Sequence, residues 1–265
     1  MMKALYFNLK KFGYTRYPSQ YGLLKYCYAI FTNPFRLLLV RLGYTVSFSG
    51  KEQDVWVIDT LKKRKGFFVD LAATSGIIEN NSYLLEEKFG WMGIAIEPNP
   101  AYYRKLIANR RCHCTNFVVA SKSEEVEFAF NRGIGGVISE STDNSPIKRP
   151  KLIARLRKKG AVQTLKTKSL LHILKFFDAP AEIDYLSLDV EGSEWDVLKD
   201  FPFELYRFNL LTIERPPKIL CDLLFKNGYV FVKNHKVDTF FAHESCVDKY
   251  NITTTPFEEI PPKSW

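Results

Sequence analysis

Four short apolar runs in this chain each carry a carboxylate towards their carboxyl end, and stretches of helical character separate them. The runs are Gly66-Phe-Phe-Val-Asp-Leu-Ala-Ala73, Trp91-Met-Gly-Ile-Ala-Ile-Glu97, Ile183-Asp-Tyr-Leu-Ser-Leu-Asp-Val-Glu191, with Asp189 near its end, and Leu210-Leu-Thr-Ile-Glu214. Their length and near-continuous apolarity suit strands buried on both faces. Strand–helix alternation of this kind predicts right-handed crossovers and a mostly parallel sheet. The spacing predicts helices over 78–89, 101–109, Ser169–Phe177, Ser193–Lys199 and Pro217–Lys226, the last capped by Gly228. A further strand is expected at Asn116–Ala120, an exposed edge strand at Glu125–Phe130, and a closing hairpin from Tyr229–Lys233 and Asp238–His243.

In an open parallel sheet the ligand lies beyond the carboxyl ends of the strands, where the strand order reverses. The residues to inspect are therefore Asp70 to Gly76, Glu97, Ala120 with Ser121, Asp189 to Gly192, and Glu214. A dinucleotide needs a glycine-rich backbone cradle for its pyrophosphate. The loop Asp70-Leu-Ala-Ala-Thr-Ser-Gly76 has a single glycine, which disfavours an NAD-dependent enzyme. S-adenosylmethionine has no phosphate and needs only a tight turn, which Gly76 with the small Ala72, Ala73 and Ser75 can supply. Glu97 ends the next strand, where a carboxylate can accept both hydroxyls of a ribose.

These stretches resemble the FkbM-type methyltransferase family. The resemblance runs from about Gln53 to the C-terminus. It is carried by Glu52-Gln-Asp-Val-Trp-Val57, Gly66–Ala73, Asn80-Asn-Ser-Tyr-Leu-Leu-Glu86, Gly90–Pro98 and Asp184-Tyr-Leu-Ser-Leu-Asp-Val-Glu-Gly-Ser-Glu194. It implies a Rossmann-like α/β fold with a mostly parallel sheet of about seven strands flanked by helices. It also implies S-adenosylmethionine as cofactor. Asp70, Ala72, Ser75 and Gly76 would then hold the methionine part, Glu97 the ribose, and Ala120 with Ser121 the adenine. Asn81 and Ser82 match the family's Asn-Thr pair before the next helix. Ala72 stands where many members carry Gly, and Ser75 where many carry Asp. The first removes room for close backbone approach, and the second removes a charge.

The resemblance further implies methylation of an oxygen, as on a sugar, glycan or related metabolite. An alcohol is a poor nucleophile at neutral pH, so a positioned carboxylate helps. Asp189 and Glu191 are the expected catalytic residues, with Asp189 also beside the cofactor. They lie two apart and face one side only while the chain stays extended. Such a pair could hold a divalent ion, but no metal is assigned. Glu214 is a second candidate. His243, after the last strand, is a weaker one that could enter the pocket.

Charge divides the chain. The net charge is +9, and residues 1–50 contain seven Lys or Arg and no Asp or Glu. This basic, aromatic-rich extension could touch an anionic surface, or pack on the domain as short helices. Residues 51–265 are expected to form the methyltransferase domain. Within it, 131–168 is read as a polar, then basic, substrate-facing insertion made mobile by Gly133, Gly135 and Gly136. Its Lys148, Arg149, Lys151, Arg155, Arg157, Lys158 and Lys159 would suit an acidic acceptor.

No apolar run reaches the roughly 20 residues of a membrane-spanning helix. Five cysteines without Cys-x-x-Cys spacing fit a reduced, cytoplasmic protein. Cys112-His113-Cys114 alternates across a strand and cannot converge on one ion. Two other functions stay open. One is a nucleic-acid methyltransferase or binding module, although Glu214-Arg-Pro-Pro217 lacks the signature of base amino-methylases. The other is a non-catalytic relative that keeps the fold for interaction.

Overall fold

The computed structural model describes residues 34–131 and 134–261. Helices occupy residues 34–41 (α1) and Gln53–Leu61 (α2), followed by strand β1 at Phe67–Leu71. Helix α3 (Tyr83–Phe89), β2 (Met92–Ile96), α4 (Pro100–Asn109) and β3 (His113–Thr115) follow. Next come β4 (Val118–Ala120), β5 (Glu125–Ala129), β6 (Gly136–Val137), α5 (Pro150–Lys158) and β7 (Val162–Ser169). The chain ends with α6 (Leu170–Phe176), β8 (Glu182–Leu188), α7 (Glu194–Leu198), β9 (Arg207–Glu214), α8 (Lys218–Lys226), β10 (Tyr229–His235), β11 (Asp238–His243) and α9 (Glu244–Tyr250).

Seven strands form the main sheet in the order β10-β11-β9-β8-β1-β2-β3. Strands β3, β2, β1, β8 and β9 run parallel, and β11 and β10 add antiparallel pairing beyond β9. The order reverses between β1 and β8, so a crevice opens beyond their carboxyl ends. Side chains alternate across the pleat. Val69 and Leu71 of β1 pack with Leu186, Leu188, Leu211 and Ile213 against Ile173, Leu198, Leu220 and Leu224 of α6, α7 and α8. Phe68, Ala95, Tyr185 and Leu210 face the other way, onto Val57, Ile58, Leu85 and Leu106 of α2, α3 and α4. This is the helix–sheet–helix α/β architecture expected from the apolar runs.

A second sheet, in the order β4-β7-β5-β6, was not foreseen. The strand expected at Asn116–Ala120 does not join the main sheet: β3 at His113–Thr115 takes that place, and β4 pairs with β7. Glu125–Ala129 is no edge: it pairs with β6 on one side and β7 on the other. Segment 131–168, expected as a mobile insertion, holds β6, α5 and most of β7. Strand β7 shows no apolar pattern because Gln163, Thr164 and Lys166 are exposed and Lys168 is only half-buried. Helix α5 seats Ile153 and Leu156 on Ala129 beside Val162. The helix expected over 78–89 starts only at Tyr83, because Asn80 and Ser82 turn inward to Asp70.

Part of the basic extension packs on the domain. Val40 and Phe48 are buried with Tyr83 and Leu84. Asp54 of α2 accepts hydrogen bonds from the backbone N–H of Phe48 at 2.7 Å and the hydroxyl of Ser49 at 3.0 Å. The basic residues from Lys3 to Lys25, and Gly133, lie outside the described residues. Among the described residues, no helix is long and apolar enough to cross a membrane.

Candidate active site

The carboxyl ends of β1, β2 and β8 face the second sheet across a cleft. The cleft holds about 640 Å³ of empty space, its open mouth included. From the main sheet it is lined by Leu71, Ala72, Ile96, Glu97, Asp189 and Glu191. Phe117, Val118, Val119, Phe128, Gly136 and Val137 line the opposite side. One wall is thus apolar and aromatic, and the other carries carboxylates.

Glu97 follows β2 and is buried. Its two carboxylate oxygens accept the backbone N–H of Thr74 at 2.9 Å and of Asn99 at 2.8 Å. Each oxygen keeps lone-pair capacity for another donor. Burial pushes its pKa up to about 7; the two N–H groups oppose the rise, and the nearby Asp70 adds to it. The loop that supplies Thr74 is strained: Ala72 and Thr74 have φ of 66° and 48°. Non-glycine residues in this region cost about 1–3 kcal/mol each and concentrate at ligand sites.

The other expected cofactor residues stand elsewhere. Asp70 is buried and accepts hydrogen bonds from Asn80 Nδ2 at 3.0 Å and Ser82 Oγ at 2.6 Å, and burial raises its pKa. Arg110 ties this network to Glu86, at 2.9 Å, and donates to Asn80 and Ser82. Gly76 has φ 82°, but a Cβ there would meet Leu106 and Arg110 side-chain atoms at 2.8 Å, so its bare Cα packs against the helix α4 side. Asn109 donates to the Ser75 carbonyl. Asn81 donates to Ser187 Oγ at 2.9 Å. Ala120 is in β4, paired with Ser169, and Ser121 follows it. None of Asp70, Ser75, Gly76, Asn81, Ala120 and Ser121 is among the residues that line the cleft, whereas Ala72, Glu97 and Asp189 are.

At the acidic wall the structure brings together Asp189, Glu191 and Glu214, with carboxylate oxygens within 4.8 Å of one another. The turn after β8 makes this possible. Glu191 and Gly192 both have positive φ, 56° and 92°, so the chain bends back under the end of β9. A Cβ on Gly192 would lie 2.8 Å from the Asp143 backbone nitrogen, so only glycine lets segment 142–145 lie over the turn. The Asp143 N–H donates to the Glu191 carbonyl at 2.9 Å. Burial, then the charge of Asp189 and its hydrogen bond with Glu214, push the Glu214 pKa up to about 9; the charge of Glu191 adds to the rise and Arg215 opposes it. Arg215 contacts Glu214 at 2.8 Å and Asp143 at 3.1 Å.

Two carboxylates of this region went unnoticed in the sequence. Glu194 is buried and accepts the N–H groups of Val190 and Gly192; burial pushes its pKa up to about 8. Asp238 opens β11 opposite Glu214 and is held by Lys51 and Gln53; burial pushes its pKa up to about 6. The inward carboxylate at the start of a strand paired antiparallel on both sides gives no local signal. His243 does not reach the cleft. Strand β11 runs antiparallel to β9, which places His243 at the amino ends of the parallel strands, where it caps α9 through Ser245.

A family model described as the methyltransferase FkbM domain matches residues 70–247. A comparison with curated proteins found no match. Among solved structures, a delta-N METTL16 MTase domain shares 12% identity, with 79% of this chain and 93% of that chain covered and a TM-score of 0.39. A METTL16 MTase domain in a second crystal form shares 14%, with 71% and 63% covered and a TM-score of 0.36. Precorrin-6y C5,15-methyltransferase from Geobacter metallireducens GS-15 shares 11%, with 71% and 84% covered and a TM-score of 0.35.

Proposed function

This chain belongs to the FkbM methyltransferase family, and from that premise we propose that it methylates a hydroxyl oxygen of a sugar, glycan or related metabolite, using S-adenosylmethionine. The observation that carries the reading is one cleft flanked by Glu97 and by the Asp189 cluster.

The residues fit the cofactor. Glu97 has acceptor capacity for a ribose diol, Phe117, Val118 and Val119 offer an apolar wall to a purine, and the carboxylates suit a sulfonium. When bound, S-adenosylmethionine supplies an activated methyl group on a good leaving group. Glu97 would orient the nucleoside, aided by the fixed N–H groups of Thr74 and Asn99. Asp189 would accept the proton of the acceptor hydroxyl as the new carbon–oxygen bond forms. Glu191 would orient that hydroxyl. Holding oxygen, methyl and sulfur in line would supply much of the acceleration.

We place the methyltransferase domain at 51–265, with 131–168 contributing the acceptor-facing wall through Gly136 and Val137. The acidic wall favours a neutral, hydroxyl-bearing acceptor over an acidic one, because like charges repel across a partly buried site. The test is transfer of labelled methyl from S-adenosylmethionine to a panel of sugars, glycolipids, peptides and RNAs. Label is expected on a sugar or glycan hydroxyl. Label on RNA alone, or cofactor binding with no transfer to any class, would overturn the oxygen-acceptor reading.

A further inference from the structure

We infer that Asp189, Glu191 and Glu214 hold one divalent cation, and that this cation binds adjacent hydroxyls of the acceptor. The inference deepens the methyltransfer reading and rests on it for the acceptor's role.

The donors are the first reason. Three carboxylates come from two strand ends and one turn, and one oxygen from each lies within 4.8 Å of the others. Like charges this close are unfavourable unless something positive or a shared proton stands between them. Arg215 contacts Glu214 and Asp143. Its contact is to one Glu214 oxygen, Oε1, and the other oxygen remains for the cluster.

The second reason is independent of the acidic residues. Ser193, buried and lining the same cleft, has a hydroxyl with no hydrogen-bond partner. Asn144 is fully buried, and neither atom of its side-chain amide has a partner. Its Nδ2 and the Glu191 Cβ flank one spot on the cleft wall, 2.8 and 3.4 Å from where a Cβ on Gly136 would stand. Buried polar groups in native proteins are nearly always satisfied, and exceptions point to a missing water, ion or ligand. A hydrated cation beside these carboxylates supplies the oxygen donors and acceptors that both side chains lack.

The chemistry selects the ion. Oxygen-only donors suit Mg²⁺, Mn²⁺ or Ca²⁺, whereas Zn²⁺ and Cu²⁺ prefer sites with nitrogen or sulfur. Mg²⁺ and Mn²⁺ held by a few carboxylates keep several coordination positions for water or substrate oxygens. Two neighbouring hydroxyls of a sugar would occupy such positions and displace water. That selects a vicinal diol over an isolated alcohol as the acceptor.

The test uses the full chain, freed of metal with EDTA and then dialysed. Mn²⁺ is titrated in, and free Mn²⁺ is followed by electron paramagnetic resonance. One Mn²⁺ per chain is expected, displaced by Mg²⁺. Saturating cation is expected to raise the melting temperature by roughly 5–10 °C at a hundredfold excess over the dissociation constant. Glu191→Gln and Glu214→Gln each remove one of the crowded charges. Without cation they should melt no lower than the wild type, and with it they should bind Mn²⁺ at least tenfold more weakly. Absence of a stoichiometric site in the wild type, or unchanged Mn²⁺ binding in both variants, would overturn the inference. S-adenosylmethionine is titrated in parallel in EDTA. Cofactor binding without any Mn²⁺ site sinks the cation and leaves methyl transfer standing. An Mn²⁺ site without cofactor binding does the reverse.

Discussion

At the scale of single residues, the account divides labour between two carboxylates. Asp189 follows the central strand β8 and lines the cleft within reach of Glu191 and Glu214. A positioned general base typically contributes 10²–10⁴-fold. Asp189→Asn keeps the shape and removes the base. Turnover is expected to fall by about that range, with cofactor affinity changed far less, in a steady-state assay paired with calorimetry. Glu97 acts on binding. Its carboxyl titrates near pH 7 because burial disfavours the charge. In the proposed role the anion would accept both ribose hydroxyls, and the protonated form would lose acceptor capacity. Cofactor affinity should therefore weaken as pH falls from 8 to 6, by up to about tenfold per unit below the pKa. A flat profile would remove Glu97 from ribose binding.

At the scale of elements, the turn between β8 and α7 is the feature that assembles the site. Gly192, at φ 92°, sits under segment 142–145, with the Asp143 nitrogen 2.8 Å from a would-be Cβ. Gly192→Ala combines a strained φ with a backbone clash. It should lower stability by about 1–3 kcal/mol. It should also reduce turnover more than cofactor binding, since it displaces Glu191 and not Glu97. Thermal melts and kinetics check both. Strands β1, β2, β8 and β9 were legible because burial on both faces leaves continuous apolar runs. The acids that end them were legible for the same reason, as abrupt interruptions. The second sheet was not, because β7 has charged residues on its open face and β6 is only two residues long. The cleft wall at Phe117, Val118 and Val119 was missed by a few positions. Those residues looked like the body of a main-sheet strand, and their partner β7 is over forty residues further on. Asp70 and Gly76 carried the expected local pattern. Arg110, a long-range partner that sequence order does not show, draws them into an inner network.

At the scale of the whole molecule, the site is an accumulation of buried acid. Glu97, Glu194, Glu214 and Asp238 have pKa values pushed up to about 7, 8, 9 and 6. Each folded value lies above the ordinary carboxylate value of 4.5 or 3.8. The folded state therefore binds protons more tightly than the unfolded chain does. That stability is present below the unfolded pKa and is lost as pH rises through the folded one. The window runs from about pH 4 to about pH 9. In EDTA the melting temperature should fall as pH rises from 5 to 9, the reverse of a protein held together by ionised carboxylates. A melting temperature that climbs across that range would contradict the burial of these four groups.

The claim on which the rest depends is that the cleft beyond β1 and β2 takes a nucleoside with its diol on Glu97. Calorimetric titration of S-adenosylmethionine at pH 8 into the wild type and Glu97→Gln tests it most directly. The account predicts one-to-one binding to the wild type and affinity about 10- to 100-fold weaker in the variant, with a cooperative melt retained, as expected for a lost hydrogen bond to a charged group. No heat of binding to the wild type, or equal affinity in both proteins, would contradict it.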